Sequence, residues 1–135
     1  MTLVDTNVLL DVFTKDPKWL GWSVMQLEEA SIRGPLLIND VIYAETSSRY
    51  SRIEDFETAL VDAGVTVVPT PRVALFLAGK AFVRYRGTGG VRTGVLADFF
   101  VGAHAAVERL PLLTRDARRY RSYFPTAELI APAED

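Results

Sequence analysis

The chain has 135 residues, 49% hydrophobic and 24% charged, a composition typical of one globular domain rather than of a disordered or fibrous protein. It contains no cysteine, which excludes disulfides, thiolate metal ligands and a cysteine nucleophile. No apolar run approaches the roughly 18 residues of a membrane span, and the chain does not open on a signal-peptide pattern. We therefore expect a protein that stays in the cytoplasm.

Charge is unevenly distributed along the sequence. The formal net charge is −2, which by itself argues against nonspecific binding to nucleic acid. However, residues 1–79 carry 6 basic and 11 acidic residues, whereas residues 80–121 carry 9 basic and 3 acidic residues. The second part of this acidic chain is therefore a basic segment.

Short apolar runs alternate with longer amphipathic segments, and we interpret the runs as buried strands and the segments as helices. Polar residues such as Asn39-Asp40 cap the predicted helices, and Gly34-Pro35 ends one of them. In chain order the prediction is strand Met1–Val4, helix Val8–Phe13, helix Trp19–Arg33, strand Leu36–Ile38, helix Val41–Tyr50, helix Ile53–Ala63, strand Val65–Val68, helix Val73–Tyr85, a loop at Gly87–Gly90, helix Leu96–Leu110, strand Leu110–Leu113, a basic stretch Arg118–Arg121 and a weak strand around Leu129-Ile130.

This alternation predicts an α/β fold. Parallel strands need crossover connections, and the intervening helices supply them. Strands that are apolar throughout are typical of a sheet covered on both faces. We expect a single domain over residues 1–135, in three α/β/α layers around a mainly parallel, twisted sheet of four to five strands.

Four acidic residues follow or begin the predicted elements. Asp5 and Asp116 come after strands, Asp98 opens a helix, and Glu45 lies in the helix after the second strand. Because the functional crevice of an open α/β sheet lies beyond the carboxyl ends of its strands, we expect the four carboxylates to meet there. Such crowding is costly without a cation, and carboxylate oxygens suit Mg²⁺ or Mn²⁺. The pattern therefore indicates hydrolysis of a phosphodiester by metal-activated water, that is, a nuclease.

Arginines around this edge are candidates for holding an RNA backbone by charge. The candidates are Arg84, Arg86, Arg92, Arg115, Arg118 and Arg119. The run Arg118–Arg121 is equally well interpreted as an ordinary solvated face.

Each acidic residue also has a simpler interpretation. Asp5 would serve as a helix cap, Asp98 as a partner of the helix dipole, and Glu45 as a solvated helix residue. The common placement of all four at one sheet edge favours the functional interpretation. By contrast, we interpret His104, the only histidine, as a buried structural residue, because metal-activated water needs no imidazole.

The sequence also resembles a known family in four ordered motifs that span nearly the whole chain. Residues 3–11, Leu-Val-Asp-Thr-Asn-Val-Leu-Leu-Asp, resemble the opening motif of PIN domains. Tyr43-Ala44-Glu45 is similar to their second motif, residues 96–105 to the third, and residues 112–116, Leu-Leu-Thr-Arg-Asp, to the fourth. The third and fourth motifs resemble those of the VapC toxins in particular.

The resemblance implies a Mg²⁺-dependent endoribonuclease, with Mn²⁺ as a substitute metal. It implies the toxin of a VapBC-type toxin–antitoxin pair, which cleaves structured cellular RNA such as tRNA or rRNA and inhibits translation. A homodimer and a cognate VapB-type antitoxin that blocks the site are implied as well. The implied catalytic residues are Asp5, Glu45, Asp98 and Asp116, with Asp5 and Asp98 on the metal and Asn7 and Thr114 as polar supports.

Other functions were weighed against this one. A haloacid-dehalogenase-like phosphatase also places an aspartate after its first strand, but it uses Asp-x-Asp, and the third position here is Asn7. A receiver domain needs a late lysine, and none follows Lys80. The alternative that stays open is a non-catalytic PIN-like module that binds RNA or protein.

Overall fold

The computed structural model describes residues 1–90 and 95–133. Within these residues, strands and helices alternate almost as the sequence predicts. In chain order they are β1 (Thr2–Val4), α1 (Thr6–Phe13), α2 (Leu20–Arg33), β2 (Leu36–Ile38), α3 (Asp40–Ser47), α4 (Ile53–Asp62), β3 (Val65–Val67), α5 (Arg72–Gly87), α6 (Leu96–Glu108), β4 (Leu112–Leu113), α7 (Arg118–Tyr123) and β5 (Leu129–Ile130).

The strands form one parallel sheet in the order β3-β2-β1-β4-β5. The central strand is β1, whose Leu3 is in register with Leu37 on one side and with Leu112 on the other. The strand order reverses direction at β1, so the topological switch point lies between β1 and β4. The predicted α/β fold with four to five mainly parallel strands is confirmed.

Both faces of the sheet are covered. Successive residues of a strand point to opposite faces, and Leu3 and Val4 are both 0% exposed. The covering elements include α6, in which Phe99, Val101 and Ala103 are also fully buried. This burial explains why the strands are continuous apolar runs rather than alternating ones.

Most elements begin or end within three residues of the predicted bounds; α3, for example, ends at Ser47 rather than at Tyr50. Two further differences concern the elements that follow α6. The strand predicted from Leu110 begins only at Leu112, because Arg109 adopts a left-handed conformation (φ 53°) and the Leu110 amide donates back to the Ala105 carbonyl of α6. The basic stretch after residue 117 is the short helix α7, which the sequence analysis left unassigned. Among the described residues, we find no helix long and apolar enough to cross a membrane.

Candidate active site at the carboxyl edge of the sheet

Asp5 lies at the switch point between β1 and β4. It follows β1 directly, and its backbone amide donates to the Leu113 carbonyl of β4 at 2.9 Å. Its side chain caps α1, since Oδ1 accepts a hydrogen bond from the Thr6 amide at 2.8 Å. Asp5 is therefore a helix cap and also a 5% exposed carboxylate at the functional edge of the sheet.

The other carboxylate oxygen of Asp5 is held by side chains from two distant parts of the chain. Its Oδ2 accepts hydrogen bonds from the Tyr120 hydroxyl at 2.8 Å and from the Thr114 hydroxyl at 2.9 Å. Burial raises the pKa of Asp5 to about 6, and the negative charge of Asp98 adds to the rise, although the hydrogen bonds from Tyr120 and Thr114 oppose it. The site therefore holds a carboxylate whose ionised form is costly without a nearby cation.

Asn7 and Thr114, the two predicted polar supports, tie this arrangement together. The Asn7 amide nitrogen donates to the Thr114 hydroxyl at 3.3 Å and lies 3.5 Å from Asp5 Oδ2. Its amide oxygen accepts from the Arg115 backbone amide at 3.1 Å. The start of α1 and the loop after β4 are thus fastened to each other around Asp5.

Two further predicted acids lie near Asp5. The Glu45 carboxylate, on α3, is exposed and accepts a hydrogen bond from the Thr6 hydroxyl at 2.7 Å. Asp98, in the first turn of α6, forms an ion pair of 2.5 Å with Arg119 of α7. Burial raises the pKa of Tyr120 well above its usual value, and the charges of Asp5, Asp98 and Glu45 raise it further. Three of the four predicted acids therefore act electrostatically on one hydroxyl.

Asp116 is placed differently from these three acids. Asp5 comes directly after β1, but Asp116 is the third residue after β4, and Thr114 takes the position next to Asp5. Asp116 is exposed, and its backbone amide donates to the Thr114 hydroxyl at 3.1 Å. The described residues contain no group of three or more acidic or histidine side chains placed to hold a metal ion. The expected meeting of four carboxylates in one group is therefore not found.

Asp5 and Asp98 are the pair that fits a divalent metal. Mg²⁺ is commonly held by one or two carboxylates, with waters and substrate phosphates completing its shell. Burial and the charge of Asp98 make the ionised form of Asp5 costly, and a cation would reduce that cost, although Arg119 already offsets charge on Asp98. A metal held here would therefore have two carboxylates as hard oxygen ligands and would need waters or substrate to complete its shell.

The sequence analysis missed Tyr120 as a site residue. Tyr120 is 2% exposed although it stands between arginines, and Phe124, one helical turn later, is 3% exposed. This spacing of four residues between aromatic side chains is the signal of an inward face in a short helix. Because arginines surround Tyr120 in the sequence, this spacing was not recognised.

The predicted RNA-binding arginines differ in how available they are. The Arg115 guanidinium donates to both oxygens of Asp11, at 2.7 and 3.0 Å, and Arg119 is paired with Asp98. Arg84 donates to the Tyr123 carbonyl at 3.5 Å. Arg86 and Arg118 are exposed, and Arg92 lies outside the described residues. Contact with RNA stays a prediction for all six arginines.

His104 has the structural role predicted for it. It is 2% exposed, and its Nδ1 lies 3.1 Å from the Asn39 amide nitrogen. Burial lowers the pKa of His104, so the ring is neutral at physiological pH and accepts the amide hydrogen. It takes no part in the acidic site.

Fold and site together define a class of protein: a small α/β domain with an all-parallel sheet and paired carboxylates at its topological switch point. The sequence matches the PIN domain family over residues 2–124, and the chain therefore belongs to that family. No curated protein sequence matches the chain.

Solved structures of toxin–antitoxin complexes share the fold. VapBC2 from Rickettsia felis, bound to a DNA fragment from its promoter, has a TM-score of 0.73 at 17% identity, with 98% of each chain covered. A toxin–antitoxin complex from Klebsiella pneumoniae has a TM-score of 0.62 at 21% identity over 100% of both chains. FitAcB from Neisseria gonorrhoeae has a TM-score of 0.66 at 16% identity over 96% of both. At these identities the likeness concerns the fold.

Proposed function

We propose that this protein is a Mg²⁺-dependent endoribonuclease and the toxin of a VapBC-type toxin–antitoxin pair. The observation that carries the proposal is the buried Asp5 beside Asp98 at the switch point of a PIN-domain sheet. A buried carboxylate at that position, with a second carboxylate that acts on it electrostatically, suits a metal-assisted hydrolase acting on a phosphodiester. The proposed substrate is structured cellular RNA, tRNA or rRNA, whose cleavage inhibits translation.

In this proposal Asp5 and Asp98 hold Mg²⁺, with Mn²⁺ as a substitute. When bound, the ion offsets negative charge on the phosphodiester and lowers the pKa of water. Tyr120 and Thr114 keep Asp5 in one orientation through their hydrogen bonds to Oδ2. Among the described residues Oδ1 accepts only the Thr6 amide, and it is therefore the oxygen that we propose for the metal.

Glu45 and Asp116 have different proposed roles, because both are exposed. The hydrogen bond from Thr6 positions the Glu45 carboxylate next to Asp5, where it can accept a proton from the attacking water. Asp116 lies at the rim, on the loop that carries Thr114. We propose that it acts on bound RNA from there rather than as one of the metal ligands.

The proposed partners are a VapB-type antitoxin and a second copy of the chain. Support for the antitoxin comes from the similar solved structures, of which three are described as VapBC2, FitAcB and a toxin–antitoxin complex. The proposed antitoxin covers the acidic site and thereby neutralises the toxin. Co-expression with the neighbouring reading frame, followed by affinity purification of the toxin, tests this: no co-purifying protein would contradict it.

The nuclease proposal is tested by incubating total cellular RNA with the purified protein in Mg²⁺, Mn²⁺ or EDTA. Asp98→Asn removes charge without volume and should abolish cleavage while the fold persists. The matched control is Glu108→Gln, the same chemical change at the other end of α6. We expect discrete, metal-dependent products with the wild type and the control. Cleavage retained by Asp98→Asn would remove this residue from the mechanism.

The non-catalytic binding module remains the second candidate. It is favoured by the ion pair that Arg119 makes with Asp98, and by the lack of a three-acid metal group among the described residues. Thermal denaturation with millimolar Mg²⁺ or Mn²⁺ separates the two candidates. The nuclease proposal expects a rise in Tm because the metal binds the folded protein. No rise, together with no cleavage, would favour the binding module.

A further inference from the structure

Two cavities adjoin along α7. One, of about 490 Å³, is lined by Trp19, Arg118 and Arg121 among others. The other, of about 350 Å³, is lined by residues that include Arg118 and Tyr123. Asp116 and Arg118 line both cavities, so the two are neighbours, and we call them together the α7 groove.

The charge of the α7 groove is positive. Four arginines line it, against the single acidic side chain of Asp116. Arg115 and Arg119 form ion pairs with acids outside the groove lining, and the side chains of Arg118 and Arg121 are exposed. The positive charge that meets solvent therefore lies mainly at the exposed edge of α7.

Aromatic rings lie at both ends of the groove. Trp19 lines the first cavity, and Tyr85 and Tyr123 line the second. A cationic groove with aromatic side chains along it is the usual arrangement for binding single-stranded nucleic acid, because each base has a face that can stack. Phosphate-binding charge and base-binding surface thus occur together here.

The groove is connected to the acidic site by one short loop. The Asp116 amide donates to the Thr114 hydroxyl, and that hydroxyl donates to Asp5. A chain of nucleotides lying in the groove would therefore run past the loop that holds Asp5 in place. This continuity is what an extended polymeric substrate requires.

We propose that the α7 groove binds a single-stranded segment of RNA that flanks the cleavage position, with Arg118 and Arg121 on its phosphates and Trp19 and Tyr123 beside its bases. The inference rests on the proposed function and deepens it by giving the substrate a second subsite. An acidic peptide would also meet the two arginines, but it would have no planar bases to set against the aromatic rings. The groove therefore fits nucleic acid better.

The test measures binding without cleavage, by fluorescence anisotropy of a labelled oligouridylate of roughly 8 nucleotides in EDTA. Arg118→Ala and Arg121→Ala should each weaken binding several-fold. Each should also reduce the slope of log affinity against log salt by about 0.7, the value for one phosphate contact on a single strand. The matched control is Arg33→Ala, an exposed arginine at the end of α2, ahead of β2, which should bind as the wild type does.

Trp19 supplies a second readout, because the chain contains only two tryptophans. In Trp22→Phe, Trp19 is the sole indole, and we expect the oligouridylate to change its fluorescence. Adding Arg118→Ala and Arg121→Ala to that variant should shift the titration to higher oligonucleotide concentration. Trp19 fluorescence that does not change when the oligouridylate is added would contradict the placement of bases beside Trp19.

Failure of this inference is distinguishable from failure of the proposed function. If the two arginine variants bind as Arg33→Ala does while the protein still cleaves RNA, the groove inference is wrong and the nuclease stands. If polyglutamate at equal charge displaces the oligouridylate as well as unlabelled oligouridylate does, the groove takes acidic peptides instead. Intact, arginine-dependent binding without metal-dependent cleavage would support the groove and contradict the nuclease.

Discussion

Arg115→Ala should destabilise the protein more than any other single arginine substitution along the loop and α7. Arg115 donates two hydrogen bonds to Asp11, which is 2% exposed and also accepts from the Ser23 hydroxyl at 2.7 Å. The Arg115 guanidinium also lies 5.2 Å from the centre of the Trp19 ring. Its removal would leave the Asp11 carboxylate buried with one hydroxyl partner.

The magnitude follows from the burial of the pair. Removing one partner of a buried ion pair costs about 3–5 kcal/mol, because the remaining charge stays desolvated. The Arg115 side chain is 28% exposed, so water can partly replace it, and the Ser23 hydrogen bond remains. We therefore expect about 3 kcal/mol, which lowers Tm by about 10 °C for a protein of this size.

Urea and thermal denaturation in EDTA measure this loss apart from metal binding. The control is Arg118→Ala, three residues along the chain and exposed, which should cost less than about 0.5 kcal/mol. The double variant Asp11→Leu/Arg115→Met should recover part of the stability, because no buried charge is left unpaired, while the buried Ser23 hydroxyl loses its acceptor. A loss below about 1 kcal/mol in Arg115→Ala would refute this reasoning.

Three further predictions concern the site and its support. Arg119→Gln removes the ion pair with Asp98 and should tighten Mn²⁺ binding about fivefold, measured by electron paramagnetic resonance, since such a partly exposed pair contributes about 1 kcal/mol. In EDTA the free energy of unfolding should fall by up to about 3 kcal/mol as pH rises from 4 through 6, because folding raises the pKa of Asp5 from 3.8 to about 6. Asp5→Asn should remove this pH dependence. Gly102→Ala should cost about 1–3 kcal/mol, whereas Gly79→Ala should stabilise by about 0.5–1 kcal/mol, both measured by urea denaturation.

Each of these three predictions has its own control or its own contradicting result. For Mn²⁺ binding the control is Arg118→Gln, and weaker binding in Arg119→Gln would show that the arginine supports the metal site. For the pH dependence, a trend that persists in Asp5→Asn would assign it to another group. For the glycines, an added Cβ at Gly102 would lie 2.4 Å from a Phe124 ring atom, but at Gly79 nothing lies within 4 Å. Equal effects at both glycines would contradict the tight packing of α6 on α7.

Much of the fold could be predicted because parallel strands that are buried on both faces are continuous apolar runs in the sequence. The run Leu36–Ile38 is wholly apolar and is a strand with the predicted bounds. The helix α7 could not be predicted in the same way, since it has six residues, of which only Tyr120, which stands among arginines, is buried. Short helices carry too few turns for a periodic pattern to emerge.

The site was predictable only to the extent that its residues follow strands. Asp5 lies where a residue directly after a central strand must lie. Other side-chain pairs around the site join residues that are far apart in the sequence. Asp11 and Arg115 are separated by 104 positions, and Asp5 and Tyr120 by 115. Nothing in the local sequence marks such pairs, because each partner has an ordinary local role.

The ion pairs of Arg115 and Arg119 change how the basic segment, residues 80–121, is interpreted. Residues 80–121 contain 9 basic residues, and the sequence alone does not rank the six arginines among them that were predicted to hold RNA. In the structure Arg115 neutralises a buried acid and Arg119 neutralises Asp98, so neither charge is offered to solvent in full. The salt dependence of RNA binding should accordingly depend more on Arg118 and Arg121 than the residue count implies. The arginines of this stretch thus have two roles. Arg115 and Arg119 form ion pairs with acids of the protein, whereas the exposed Arg118 and Arg121 are the ones that we propose to contact RNA.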